Sequence, residues 1–85
     1  MDPYKIVKYP LSTEKSIRLM ESQNVLIFAV SMKADKKSIK DSIEEMFKVK
    51  VANVRTYIQN GEKRAYVKFS KESPAIDIAT QLGLM

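Results

Sequence analysis

The stretch YIQNGEKRAYVKF, residues 57–69, places Asn60-Gly61 between two runs in which apolar and polar residues alternate. Asn-Gly is the pair best suited to a two-residue hairpin turn, because both central positions of that turn need positive φ. The stretch therefore predicts two antiparallel strands, from about Val49 to Gln59 and from Glu62 to Ser70. A two-residue turn also sets the register, since residues equidistant from it face each other. Val54 then opposes Val67, Thr56 opposes Ala65 and Ala52 opposes Phe69 on a core side. Tyr57 opposes Arg64, Arg55 opposes Tyr66 and Asn53 opposes Lys68 on the other.

Upstream, KIVKY (5–9) reads as a short strand ended by Pro10. Ser12 or Thr13 then caps a brief helix with Glu14 in its first turn and Ile17 and Met20 facing inward, closed by SQN at 22–24. NVLIFAVSM (24–32) is apolar on both alternating sets, as a central strand covered on both faces should be. In ADKKSIKDSIEEMFKV (34–49), Ile39, Ile43, Met46 and Phe47 form one helix face, with Asp35 as N-cap. Downstream, Ser73 as N-cap, Pro74 at the first helical position, inward Ala75, Ile78, Ala79 and Leu82, and Gly83 at the end predict a last short helix. The order β-α-β-α-β-β-α describes an α+β fold. A four-stranded antiparallel or mixed sheet carries the helices, and a split β-α-β unit lets the last strand lie between the two that the long helix connects.

At 85 residues and 45% hydrophobic content, one globular domain over 1–85 is expected. The absence of cysteine and histidine removes disulfides, thiolate nucleophiles, the usual zinc ligands and the best proton-transfer group near neutrality, so no cofactor or metal is expected. The adjacent acids Glu44 and Glu45 point to different sides of a helix and do not form a catalytic pair. No apolar run approaches the roughly 20 residues of a membrane span, and MDPYKIVKYP lacks a signal-peptide core. A soluble intracellular protein without membrane insertion is the expectation.

Charge is where the sequence turns informative. Between Lys50 and Lys71 the basic residues are Lys50, Arg55, Lys63, Arg64, Lys68 and Lys71, against the single acid Glu62; six minus one equals the whole net charge of +5. A surplus gathered in one hairpin is the footprint of a polyanion-binding patch. Two readings of its outward face stand side by side. Crossed Tyr and Arg pairs stabilise an edge hairpin with no ligand at all. The same groups also suit single-stranded or looped RNA, with rings and guanidinium planes stacking on bases and lysines meeting phosphates. Lys36 and Lys37 begin the long helix, where cations oppose the helix dipole. Four-residue spacing offers them relief through Lys37 with Asp41, Lys40 with Glu44 and Glu44 with Lys48. They are either a solvated face or a seat for a phosphate.

Taken in order, Pro10, Ser12-Thr13-Glu14-Lys15, Ala34 and Lys36, then Phe47, Val49, Val51 and Val54, and finally Lys63-Arg64-Ala65-Tyr66-Val67 resemble the marks of the ribosomal protein L23 family of the large subunit. The similarity runs over nearly the whole chain. It implies a non-enzymatic, cytoplasmic, ribosome-bound protein that contacts large-subunit ribosomal RNA and neighbouring ribosomal proteins beside the exit of the nascent-peptide tunnel. It also implies a docking platform for the signal recognition particle and the protein-conducting channel. Glu14 matches the position that meets a ribosome-bound chaperone in bacterial members, and it serves equally as a first-turn acid. Bacterial members carry a long basic hairpin loop that Asn60-Gly61 replaces here. That short loop, with no long basic N-terminal extension, matches the archaeal pattern.

The resulting RNA-binding candidates are Lys15, Lys36, Lys37, Asn53, Arg55, Tyr57, Lys63, Arg64, Tyr66 and Lys68, with Glu14 for partner docking. Two rival readings compete with this one. A stand-alone module of RNA-recognition-motif type shares AYVKF, but Lys63 and Arg64 replace the motif's Gly and first aromatic, and no fourth strand follows the last helix. A small phosphate-processing enzyme with a small-molecule substrate lacks any phosphate-cradling loop, since Gly61 and Gly83 are the only glycines.

Overall fold

In a computed structural model of the chain, residues 3–83 are described. The elements run α1 (Pro3–Ile6), β1 (Val7–Pro10), α2 (Glu14–Gln23), β2 (Val25–Val30), α3 (Lys36–Phe47), β3 (Val51–Gln59), β4 (Glu62–Phe69) and α4 (Ala75–Gln81). The strands form one sheet in the order β1-β2-β4-β3, and every neighbouring pair is antiparallel. Strands β2 and β3 therefore run parallel with β4 between them, which is the split β-α-β unit built around α3. Asn60 and Gly61 sit at φ +53° and +76°, and Gln59 pairs with Glu62, so the two-residue turn forms as expected.

The N-terminal strand is shorter than KIVKY predicts. Lys5 and Ile6 belong to the helical turn α1, which starts at Pro3, a residue whose fixed φ suits a first helical position. The strand begins at Val7.

One face of the sheet carries Leu26, Phe28 and Val30 of β2, Ala65, Val67 and Phe69 of β4, and Val51 and Val54 of β3. Ile39 and Ile43 of α3 and Ala75, Ile78 and Ala79 of α4 close over it. Phe47 completes this layer with its ring 6.3 Å from that of Phe28. Val25, Ile27 and Ala29, on the opposite face of β2, are buried as well. β2 is thus covered on both sides, with α2 lying against it.

Helix α2 departs from the expected phase. Ser16 and Met20 are its buried residues, and Ile17 is exposed. The start of the helix explains this: Thr13 Oγ1 accepts from the Ser16 N–H at 3.2 Å and Ser16 Oγ accepts from the Thr13 N–H at 2.7 Å. This reciprocal capping box fixes Ser16 against the entering chain, and residues four apart share its face.

Two other local expectations are corrected. Val51, and not Ala52, pairs with Phe69; a bulge between Val51 and Asn53 leaves Ala52 exposed, after which the expected register resumes with Asn53 opposite Lys68. The Glu44 carboxylate holds the bulge by accepting from the Val51 N–H at 3.1 Å. In α4 the N-cap is Pro74, which has no side-chain cap, and Ser73 Oγ instead accepts from the Lys50 N–H.

The open start of α4 is closed by Asn24. This residue ends α2 in the left-handed region, at φ +61°. Its Oδ1 accepts from the Ala75 N–H at 2.6 Å, and its Nδ2 donates to the carbonyls of Phe69 and Ser70, each at 3.1 Å. One amide thus ties the α2–β2 corner to the β4–α4 connection. Asn24→Ala is expected to lower stability by about 1–3 kcal/mol, because backbone groups lose their partners and an alanine must hold positive φ. Urea unfolding measures it, and amide exchange at Ala75 should accelerate first. Asn24→Gly relieves the φ strain and keeps the loss of bonds, so it should recover only part of the difference.

Candidate nucleic-acid interface

Alternation along β3 and β4 sends Asn53, Arg55 and Tyr57, with Glu62, Arg64, Tyr66 and Lys68, to the face away from the main core. The pairs are those predicted: Asn53 with Lys68, Arg55 with Tyr66 and Tyr57 with Arg64. The diagonal neighbours Tyr57 and Tyr66 meet edge to face, centroids 5.1 Å apart and planes at 71°. Helix α2 adds a wall that hairpin register alone does not reveal. Lys15, Leu19 and Gln23 form a stripe at four-residue spacing along one side of a groove of about 320 Å³. Val25, Asn53, Arg55, Tyr57, Tyr66 and Lys68 complete it. Lys15 Nζ lies 5.7 Å from the Tyr66 ring centroid, in cation–π range. Three cations and no carboxylate line this groove.

Arg64 stands apart from this cluster in its bonding. Its guanidinium donates to Gln59 Oε1 at 3.4 Å and lies 3.9 Å from Glu62 Oε2. Glu62 Oε1 in turn accepts from the Tyr9 hydroxyl at 2.7 Å. That hydrogen bond, with desolvation and the Glu62 charge, pushes the Tyr9 phenol above its ordinary value. The chain Tyr9–Glu62–Arg64 ties β1 to β4 and spends part of the Arg64 charge inside the protein. Arg55 is exposed and has no ion pair among the described residues.

Lys63 does not join this face. It pairs with Ile58 on the opposite side of the sheet, and its Nζ donates to the Ala34 carbonyl just ahead of α3. Lys36 and Lys37 are also separate: with Lys40 and Asp41 they line a second groove, about 470 Å³, against Ala52, Asn53 and Val54 on the edge strand β3. Asn53 belongs to both grooves. The three lysine-to-acid pairs that spacing offers along α3 do not form among the described residues, where the ion pairs are Arg18–Glu14 and Arg64–Glu62. Asp35 caps α3 as expected by accepting from the Ser38 N–H at 2.7 Å. Hydrogen bonding from the Ser38 side chain and then its backbone holds the Asp35 carboxyl below its ordinary value. A depressed carboxyl contributes stability above its unfolded pKa and loses it as pH falls through the folded one.

Glu14 is exposed at the start of α2, where it pairs with Arg18 at 2.7 Å. Such a surface pair contributes at most a few tenths of a kcal/mol and leaves the carboxylate accessible. Among the described residues no group of three or more carboxylates, cysteines or histidines could hold a metal ion, and no helix is long and apolar enough to cross a membrane.

Leu19, Gln23 and Val25 escaped the sequence-based site. For Leu19 and Gln23 the signal is the 15, 19, 23 spacing that continues from Lys15, but nothing local says which face of the sheet that stripe meets, nor that Val25 of β2 lies beside it. All four strands, the Ser-Thr-Glu-Lys opening of α2 and the Lys-Arg-Ala-Tyr-Val strand lie inside residues 5–80, the span matched by the family model described as Ribosomal protein L23. The chain therefore belongs to the ribosomal protein L23 family, a family of the large ribosomal subunit.

Proposed function

We propose that this protein binds large-subunit ribosomal RNA through the acid-free groove between α2 and the outer face of β3 and β4, as a structural and non-enzymatic component of the cytoplasmic ribosome. The observation that carries this reading is the composition of the groove: Lys15, Arg55 and Lys68 surround two tyrosine rings without a carboxylate among them. Cations supply the phosphate contacts and the rings supply sequence-tolerant stacking. Lys36 and Lys37, on the far side of Asn53, extend the basic surface around the β3 edge.

The family assignment supports a position beside the nascent-peptide tunnel exit, among neighbouring ribosomal proteins. There the exposed Glu14 end of α2 serves as part of the docking platform for the signal recognition particle and the protein-conducting channel. With two residues in the hairpin turn, this protein has no loop at that position to extend into the tunnel.

In a cell lysate the protein is expected to sediment with the large subunit and to remain there through a moderate salt wash, leaving only as phosphate contacts are screened at high salt. Recovery of free protein, or of protein carrying messenger RNA alone, would sink the ribosomal reading and favour a stand-alone RNA-binding module.

A further inference from the structure

The groove between α2 and the sheet has a shape that goes beyond a basic, aromatic face. Tyr57 and Tyr66 do not lie side by side as parallel platforms; their planes stand at 71° and form a corner. A planar base seated in that corner stacks flat on one ring and meets the edge of the other. Turned through 71°, the second ring does not offer a parallel platform to a neighbouring base. Tyr57 is about half exposed, at 51%, whereas Tyr66 is partly buried and has Lys15 over its ring, so Tyr57 offers the open aromatic face. Two carboxamides, Gln23 on the α2 wall and Asn53 on β3, line the same groove. Asn53 Oδ1 already accepts from the Val54 N–H at 2.9 Å, so Asn53 offers its Nδ2 as a donor to the edge of a base, and Gln23 can both donate and accept there. Its volume of about 320 Å³ falls at the small end of the range for ligand clefts.

Resting on the RNA-binding reading above, we propose that this groove is a receptor for a single unstacked nucleotide of the RNA. The base stacks on Tyr57, its edge is read by Gln23 and Asn53, and its flanking phosphates lie against Arg55, Lys68 and Lys15. RNA is chosen over an acidic peptide because the cations surround ring faces and carboxamides, a combination that answers a base between phosphates. A row of carboxylates would need only the cations.

The test uses the full chain and one short, fluorescently labelled single-stranded RNA in three forms: intact, with one nucleotide at a time made abasic, and annealed to its complement. Anisotropy should show that the duplex and one abasic form each bind about tenfold more weakly than the intact strand, abasic sites elsewhere having little effect. Tyr57→Ala should bind the intact strand about tenfold more weakly and become indifferent to the abasic site, while Tyr57→Phe retains both properties. Gln23→Ala with Asn53→Ala should flatten preference among the four bases at that position. Because Tyr57 is exposed, circular dichroism of each variant should match the parent. Equal binding of duplex and single strand, with every abasic form tolerated, would overturn the receptor and leave a purely phosphate-reading face. Failure to bind any of the three forms, together with absence from the large subunit, would instead remove the RNA-binding reading itself.

Discussion

Arg55→Glu combined with Lys68→Glu is expected to weaken ribosomal RNA binding about a hundredfold at physiological salt. Both residues are exposed, both line the groove between α2 and the sheet, and neither is engaged by a carboxylate among the described residues. Each reversal removes a phosphate partner and adds repulsion, an effect of about tenfold per site, or roughly 1.4 kcal/mol each. The plot of log affinity against log salt should also flatten by about 0.7 to 0.9 for each phosphate that is no longer neutralised. Lys33→Glu with Lys48→Glu makes the same change in net charge on exposed residues that line neither groove, and should leave binding within a few-fold. Equal losses in the two pairs would mean that only net charge matters. Arg64→Glu alone should weaken binding less than Arg55→Glu alone, because Gln59 and Glu62 already hold the Arg64 guanidinium.

Phe28→Ala is the second large effect, and it acts on the opposite face. Phe28 is 1% exposed on the central strand, between α3 and the sheet, with Phe47 beside it. Truncating a buried Phe removes its transfer free energy and leaves a cavity, a loss of about 3–5 kcal/mol. A chain of this size holds roughly 4–13 kcal/mol in total, at about 0.05–0.15 kcal/mol per residue. The variant should therefore show a markedly lower urea midpoint, and at the low end of that range the isolated protein would be largely unfolded under physiological conditions. Adding RNA should raise its midpoint, since a ligand that binds only the folded state stabilises it by mass action. Ile58→Ala removes another large apolar side chain from the hairpin, but one that is 63% exposed, and should change stability by less than about 0.5 kcal/mol. A similar loss at both positions would contradict a core centred on Phe28.

Much of the site was legible because strand alternation is a local rule. Once Asn60-Gly61 set the register, Arg55, Tyr57, Arg64, Tyr66 and Lys68 had to share one face, and the structure pairs them so. The same rule sends Lys63 to the other face from Arg64; counting basic residues along the hairpin obscured this, and the Ala34 carbonyl receives that ammonium. Arg64 was legible in position but not in availability, since Tyr9, on a strand at the far side of the sheet, orients the Glu62 that draws on its charge. The inward phase of α2 runs through Ser16 and not Ile17 because the Ser16 hydroxyl belongs to the capping box, and an apolar pattern carries no record of a buried polar residue.

By itself the sequence determined the elements whose causes are short-range: a turn that needs two positive φ angles, helix faces set by four-residue spacing, an N-cap at Asp35, and a charge surplus confined to one hairpin. Tertiary structure decided whatever depends on a partner distant in the chain. The bulge at Ala52 exists because Glu44 captures the Val51 N–H, and α4 starts where it does because Asn24, 51 residues earlier, accepts from the Ala75 N–H. The groove itself is of this kind. Lys15, Leu19 and Gln23 become a wall only when α2 lies against β2, and a stripe on a helix carries no local record of the sheet face it will meet.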